Sequence, residues 1–414
     1  MKSIEKNARV ITWMLTLCYF ASYMTRINFA VMIVKICSDM ALPKTELAIV
    51  LTGMTVFYGT GQIVNGILGD KIRAERMITA GLILASVCNV AITLCGSPVA
   101  MTAVWCVNGF AHSMLWPPIV RLMSTYLSDE EYGYAAVRVS WGSSFATVAL
   151  YLLCPVLLGF IPWKAIMIIC ASLGIAVSIV WTLINPKILK SPKTNSRTTA
   201  KAAPLGERKP LPKYVFVPLV MIMLGIILQG ILRDGVTNWM PSYMCESFGL
   251  SEESAIVTAV IPAIFSIISF AAFDYMHRKL FKNEVTGAAV IFVGAAVAAA
   301  ALYAVGLFGG NALISTVLIA LIIAFMHGIN LMLITVVPKR FLKSGKVSTY
   351  SGILNACTYI GASLSNYGFA VLAETKGWSF TILSWVIISV CGLAICFAAV
   401  PLWNRFTHDY AEGE

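Results

Sequence analysis

The stretch that decides the fold is residues 11–34, ITWMLTLCYFASYMTRINFAVMIV, a run long enough to cross a bilayer with one arginine, Arg26, set inside it. A spanning helix needs roughly 20 predominantly apolar residues, and this segment supplies them. It is too long and too polar internally for a cleavable leader, and no small-residue cleavage site follows it. Residues 215–242, VFVPLVMIMLGIILQGILRDGVTNWMPS, have the same character, with Arg233 lying 207 residues after Arg26. Between and beyond these two segments further apolar runs follow, at 46–68, 77–95, 98–127, 134–158 and 163–184, then at 252–273, 285–308, 311–337, 348–371 and 379–402. The runs are continuously apolar, whereas barrel strands alternate over about ten residues. The expected fold class is therefore an all-α membrane protein of about twelve transmembrane helices.

Composition agrees. Of the 414 residues, 59% are hydrophobic and only 12% charged, and the mean hydropathy is +0.83, too little charge to cover a soluble surface. The net charge of +11 raises the question of nucleic acid, and the placement of the charges answers it. By these spans 22 of the 30 Lys and Arg fall on one set of alternating connections, including Lys71, Arg73 and Arg76 after the second run and Lys339, Arg340, Lys343 and Lys346 after the tenth. The opposite set holds Lys35, Lys44, Lys164 and Lys376. This is the positive-inside pattern; it puts both termini in the cytoplasm, with the cell membrane as the location. The basic excess is a topology signal, and no nucleic-acid partner is expected. The 11 cysteines form no C-x-x-C pair and most lie within spans as small apolar residues, so neither a metal site nor a disulfide framework is indicated.

From about Asn185 to Tyr214 the apolar pattern stops, and lysines, arginines, prolines, serines and threonines take over. Such a stretch cannot bury enough apolar surface to fold. It divides the chain into an N-terminal six-helix half (1–184), a basic cytoplasmic linker (185–214) and a C-terminal half (215–414). The halves correspond: Glu46 with Ala48-Ile49-Val50 matches Glu253 with Ala255-Ile256-Val257, and Phe110-x-His112 matches Phe325-x-His327. A parallel repeat of this kind implies a substrate site at the meeting of the halves and alternating access to it.

A charge at the depth of Arg26 or Arg233 is costly and normally faces a cavity or a partner. Pairing with a carboxylate is the plain structural explanation. Asp234 is the candidate for Arg233, but a neighbour one residue away is expected on a different side of the helix. In the first span no acidic residue precedes Asp39. An anionic substrate is the preferred explanation, because the planar guanidinium fork suits phosphate or carboxylate in bidentate fashion.

Several segments resemble a known family. Gly66-Ile-Leu-Gly-Asp70-Lys71 followed by Arg76 is similar to the loop between helices two and three of the major facilitator superfamily, where it implies a gate. Within that superfamily three segments resemble the organophosphate:phosphate antiporters: Tyr23-x-x-Arg26-x-Asn28-Phe29; Val107-Asn108-Gly109-Phe110-Ala111 running into Trp116-Pro117-Pro118-x-x-Arg121; and Arg233-Asp234-Gly235 running into Trp239-x-Pro241-x-Tyr243. The resemblance implies exchange of a phosphorylated metabolite for inorganic phosphate, with Arg26 and Arg233 as phosphate ligands and Tyr23 beside them. Asn238, Trp239 and Gln62 complete the expected substrate-binding set, and Asp70, Lys71, Arg76 and Arg121 the gating set. Two positions depart from the glycerol-phosphate branch: Gln62 stands where that branch has a lysine, and Phe145 where it has a histidine.

Histidine as a residue type ordinarily titrates near neutral pH, which makes His112 and His327 candidates for responding to substrate charge, although a hydrogen bond between helices is the plainer role. Trp239 and Tyr243 line a cavity or belong to an interfacial belt, and Tyr243 fits the belt better. No catalytic constellation, cofactor or metal site is expected, and the chain is expected to work as a monomer. A cation-coupled organic-anion symporter and a transporter-like sugar-phosphate sensor are the competing readings.

Overall fold

The computed structural model describes residues 5–42, 44–189, 210–250, 258, 260–281 and 283–412. Most of the basic linker and the Glu253–Val257 side of the repeat match lie outside them. Among the described residues there is no strand, and nine helices are long and apolar enough to cross a membrane. The difference from twelve has local causes in three places. The first run, expected as one helix, is interrupted into α1 (Lys6–Arg26), α2 (Asn28–Val31) and α3 (Ile33–Met40). The fourth divides into α6 (Pro98–Ser113) and α7 (Trp116–Tyr126). Pro117 and Pro118 there lack the N–H groups a continuous helix would require. The last two runs are joined in α14 (Val347–Phe406), with Gly377 (φ 79°, ψ 173°) as the non-helical point between them. That left-handed φ is one a glycine tolerates without a Cβ clash.

The remaining helices are α4 (Lys44–Lys71), α5 (Ala74–Ala91), α8 (Asp129–Leu158), α9 (Trp163–Ile188), α10 (Phe216–Phe248), α11 (Val260–Lys279), α12 (Glu284–Leu307) and α13 (Ala312–Asn330). Their ends carry the polar groups that free N–H donors need. A capping box joins Ser128 and Glu131 at α8, and the Asn283 side chain accepts from Val285 and Thr286 at the start of α12.

The chain divides into two compact units. Unit 1 comprises residues up to Arg208 together with 341–356, and unit 2 comprises 209–340 and 357–414. The division at 208/209 falls inside the expected linker, yet α9 continues to Ile188, into the stretch read as linker. Residues 341–356, expected in the C-terminal half, cluster with unit 1.

In unit 1, α4 packs on α6, α1 on α8 and α9, and α5 on α6 and α9. Phe29, Leu47, Val50, Trp105 and Trp163 form a buried core among them. In unit 2, α13 is central and packs against α10, α11 and α12. Large apolar side chains such as Trp13, Ile49, Phe57, Leu152 and Phe397 stand exposed on helix surfaces. Exposure on that scale suits hydrocarbon rather than water.

Candidate functional site

Unit 1 presents Arg26 at the C-terminal end of α1. The Phe29 N–H, which would bond the Thr25 carbonyl in an unbroken helix, instead donates to Asn28 Oδ1 at 2.9 Å. The Thr25 carbonyl then accepts from Asn89 Nδ2 at 2.7 Å and Asn108 Nδ2 at 3.3 Å. Asn28 Nδ2 donates to Asn89 Oδ1 at 2.7 Å. Helices α5 and α6 thus hold the interruption in helix one with buried amides, as backbone inside a membrane requires. The interruption presents Arg26 half-buried, its guanidinium 4.0 Å from the centre of the buried Tyr58 ring and 5.3 Å from that of Tyr23. Tyr19 packs between Tyr23 and Trp116, at centroid distances of 5.0 and 5.1 Å. Ring faces stabilise a cation by their quadrupole, more strongly where water is scarce. Stacking engages the face of the guanidinium, whereas its N–H donors lie in the plane.

Gln62 follows Tyr58 by one turn of α4. It is fully buried, and its amide oxygen and nitrogen have no hydrogen-bond partner among the described residues. His112 is buried on α6 and its Nδ1 shares a hydrogen bond with Ser22 of α1 at 3.0 Å, a bond between helices.

Unit 2 presents Arg233 differently. The expectation that Asp234 points away from it is wrong: Nε donates to Asp234 Oδ1 at 2.7 Å and Nη2 donates to Oδ2 at 3.0 Å. The long arginine side chain curls back along α10 far enough for its fork to meet the adjacent carboxylate, so spacing along the helix did not keep them apart. Both are largely buried, with side-chain exposures of 16% and 26%. One turn along, Asn238 is exposed and donates to Asn366 Oδ1 at 2.9 Å. Trp239 is half-buried. Tyr243 is buried, edge-on to Trp378 and Phe248, and is therefore a packing residue rather than part of an interfacial belt. His327 on α13 is half-buried and meets the Phe270 ring edge-on at 5.2 Å.

The expected gating residues separate. The Asp70 carboxylate accepts the Ser348 N–H at 2.9 Å and the Thr349 N–H at 2.8 Å. It caps the N-terminus of α14, where free donors and the helix dipole favour an anion. The same contact is close: a Cβ built on Gly66 would meet the Ser348 carbonyl at 2.9 Å and Gly352 Cα at 3.1 Å. Arg121 donates from α7 to the carbonyls of Gly69 and Ile72 at the C-terminal end of α4, the helix end that suits a cation. Lys71 and Arg76 are exposed.

Tyr58 and Asn89 were missed by sequence reasoning. So was a buried cluster in unit 2, where Glu284 accepts from Arg340 Nε and Nη2 at 3.0 and 3.1 Å and from Trp403 Nε1 at 3.0 Å. In the sequence Arg340 is indistinguishable from the other basic residues of its connection.

Residues 15–366 match the family model described as Major Facilitator Superfamily. The chain belongs to that superfamily. It is 24% identical over 420 residues to the glycerol-3-phosphate transporter of Bacillus subtilis (strain 168), covering 93% of this chain and 90% of that one. It is 23% identical over 407 residues to the membrane sensor protein UhpC of Escherichia coli (strain K12), covering 94% and 90%. These relatives fit the organophosphate:phosphate antiporter family that the Arg26 and Arg233 segments resemble. The fold is also that of the superfamily transporter FucP, solved in the outward conformation, with a TM-score of 0.71 at 13% identity over 96% of this chain and 99% of that one. The protein is thus a multi-pass membrane transporter of this superfamily.

Proposed function

We propose that the protein exchanges a phosphorylated small metabolite, such as a sugar phosphate or a glycerol-phosphate-like compound, for inorganic phosphate by alternating access. Arg26 and Arg233 are its anion ligands, and both termini face the cytoplasm, as the basic connections require. The observation that carries this reading is Arg26 at a designed interruption of helix one, seated on the Tyr58 ring. Three buried amides hold that interruption, within a segment read as membrane-spanning, where a charge is costly. A purely structural arginine would need no such arrangement. The identity of the relatives, one of them a glycerol-3-phosphate transporter, supports the phosphoryl group as the anion.

Alternation follows from differential contacts. Anion binding favours the occluded state only in so far as it gains contacts there. The Asp70 cap on α14 is the contact that gives way as the cytoplasmic side opens, and Arg121 keeps the end of α4 in place while it does. Gln62, Trp239 and Asn238 contact the rest of the substrate.

The test is phosphate-loaded liposomes containing the purified protein, with efflux of labelled phosphate measured against a panel of external organophosphates. Efflux that depends on an external organophosphate and needs no ion gradient is the expected result. Uptake only under a proton or sodium gradient would replace exchange by symport. A sensor is the second reading, favoured by the similarity to UhpC; it predicts organophosphate binding without flux.

A further inference from the structure

Asp234 offers Arg233 the same two-point contact that a ligand would. Its carboxylate oxygens meet Nε and Nη2 at 2.7 and 3.0 Å, the parallel geometry by which a guanidinium grips a carboxylate or a phosphate. The pair is largely removed from solvent, so neither charge is left to water. The surrounding backbone leaves α10 little room to rotate away. A Cβ on Gly230 would meet the Thr358 backbone at 3.0 Å, and one on Gly235 would meet Ser365 Cβ at 2.6 Å. The Thr237 hydroxyl ties back to the Arg233 carbonyl at 2.5 Å.

We infer that Asp234 is a resident competitor for the Arg233 fork, an internal anion that a substrate must displace, and that it sets which anions bind. The inference rests on Arg233 being an anion ligand, as proposed above. A monoanionic carboxylate arriving from solution gains nothing over the one already in place and loses freedom on binding. A dianionic phosphoryl group brings more charge and three acceptor oxygens, and so wins the fork. Asp234 thereby sets a threshold of affinity that every anion must exceed, one that a phosphoryl group clears and a monocarboxylate does not. It is a specificity determinant, placed one residue from the ligand it guards.

The probes are inorganic phosphate and acetate, with equilibrium binding to the full-length protein in detergent for wild type, Asp234→Asn and Arg233→Gln. Asp234→Asn is expected to tighten phosphate binding by about ten- to a hundredfold, the worth of a charge-assisted hydrogen-bonded contact. Acetate should gain by a similar factor, because it displaces the same carboxylate, and its binding should rise into the measured range. Phosphate binding unchanged or weakened in folded Asp234→Asn overturns the inference. Arg233→Gln separates the two levels. If it abolishes phosphate binding while Asp234→Asn fails to tighten it, Arg233 remains an anion ligand and the competitor role alone is lost. If it leaves phosphate binding intact, both readings fall. Should Asp234→Asn not fold, infrared difference spectra of the wild type with and without phosphate decide the matter, using Asp234→Glu to assign the band. A shift of the Asp234 carboxylate stretch on adding phosphate supports displacement, and its absence overturns it.

Discussion

The half-buried arginines of the two segments that the sequence pairs, Arg26 and Arg233, are held in opposite ways. Arg26 in unit 1 sits where helix one is interrupted, with its face against Tyr58 and Tyr23. Arg233 in unit 2 sits inside the continuous 33-residue helix α10, with its fork on Asp234. The charge recurs in the two units, and what keeps it in place differs. The Tyr58 face stabilises the Arg26 cation by its quadrupole, while the Asp234 carboxylate compensates the Arg233 charge and engages two of its donors. On this account the two sites make unequal contributions to anion binding, Arg26 attracting and Arg233 selecting.

That contrast is open to test. The largest effect is expected from Arg26→Gln, which removes the attracting charge. Phosphate exchange should fall by a hundredfold or more, on the order of the 2–5 kcal/mol lost when one partner of a buried charged contact is truncated, as read from initial efflux rates in liposomes. Next comes Asn89→Ala, which leaves the Thr25 carbonyl with the longer bond from Asn108 and strands the Asn28 amide at the interruption. It should cost about 2 kcal/mol of stability, measured by thermal unfolding in detergent. Gln229→Ala in unit 2, which loses a single bond to the Met326 carbonyl in an uninterrupted helix, should cost about half that on the same principle. Equal losses would mean that the interruption in helix one has no special demand for its amides.

Tyr58→Leu should weaken phosphate binding by roughly tenfold or less, the range of a partly desolvated cation–π contact, while Tyr58→Phe keeps the ring face and most of the affinity. A titration of labelled phosphate against each variant checks this. The smallest effect belongs to Asn238→Ala, whose bond to Asn366 lies at an exposed position. Less than about 1 kcal/mol of stability should be lost, and a larger loss would give the Asn238–Asn366 pair a structural role absent from this account.

The fold was largely legible because transmembrane length and apolarity are local properties. The run at 163–184 corresponds to α9 and that at 285–308 to α12 by composition alone. What escaped was set by contacts far apart in the chain. The interruption after Arg26 is created by Asn28 and mended by Asn89 and Asn108, and no pattern within residues 11–34 announces partners on two other helices. Trp116-Pro117-Pro118, by contrast, did contain its own explanation for dividing helix four, since consecutive prolines remove two backbone donors. Of the candidate site, both arginines, Tyr23 and Asp70 stand out in the sequence as residue types. Their partners do not, because rotamers decide them. Arg233 reaching Asp234 shows that a long side chain defeats a rule based on helical spacing. Glu284 with Arg340 and Trp403 shows the same for charges counted as loop charges.

The most direct test of the account is the affinity for inorganic phosphate of Arg26→Lys and Arg233→Lys, each of which keeps the positive charge and removes the planar fork. Measured by equilibrium binding to the purified protein, each should lose about tenfold or more, because a point charge cannot make the paired contact. Full phosphate affinity in both variants would contradict the claim that these two arginines grip a phosphoryl group.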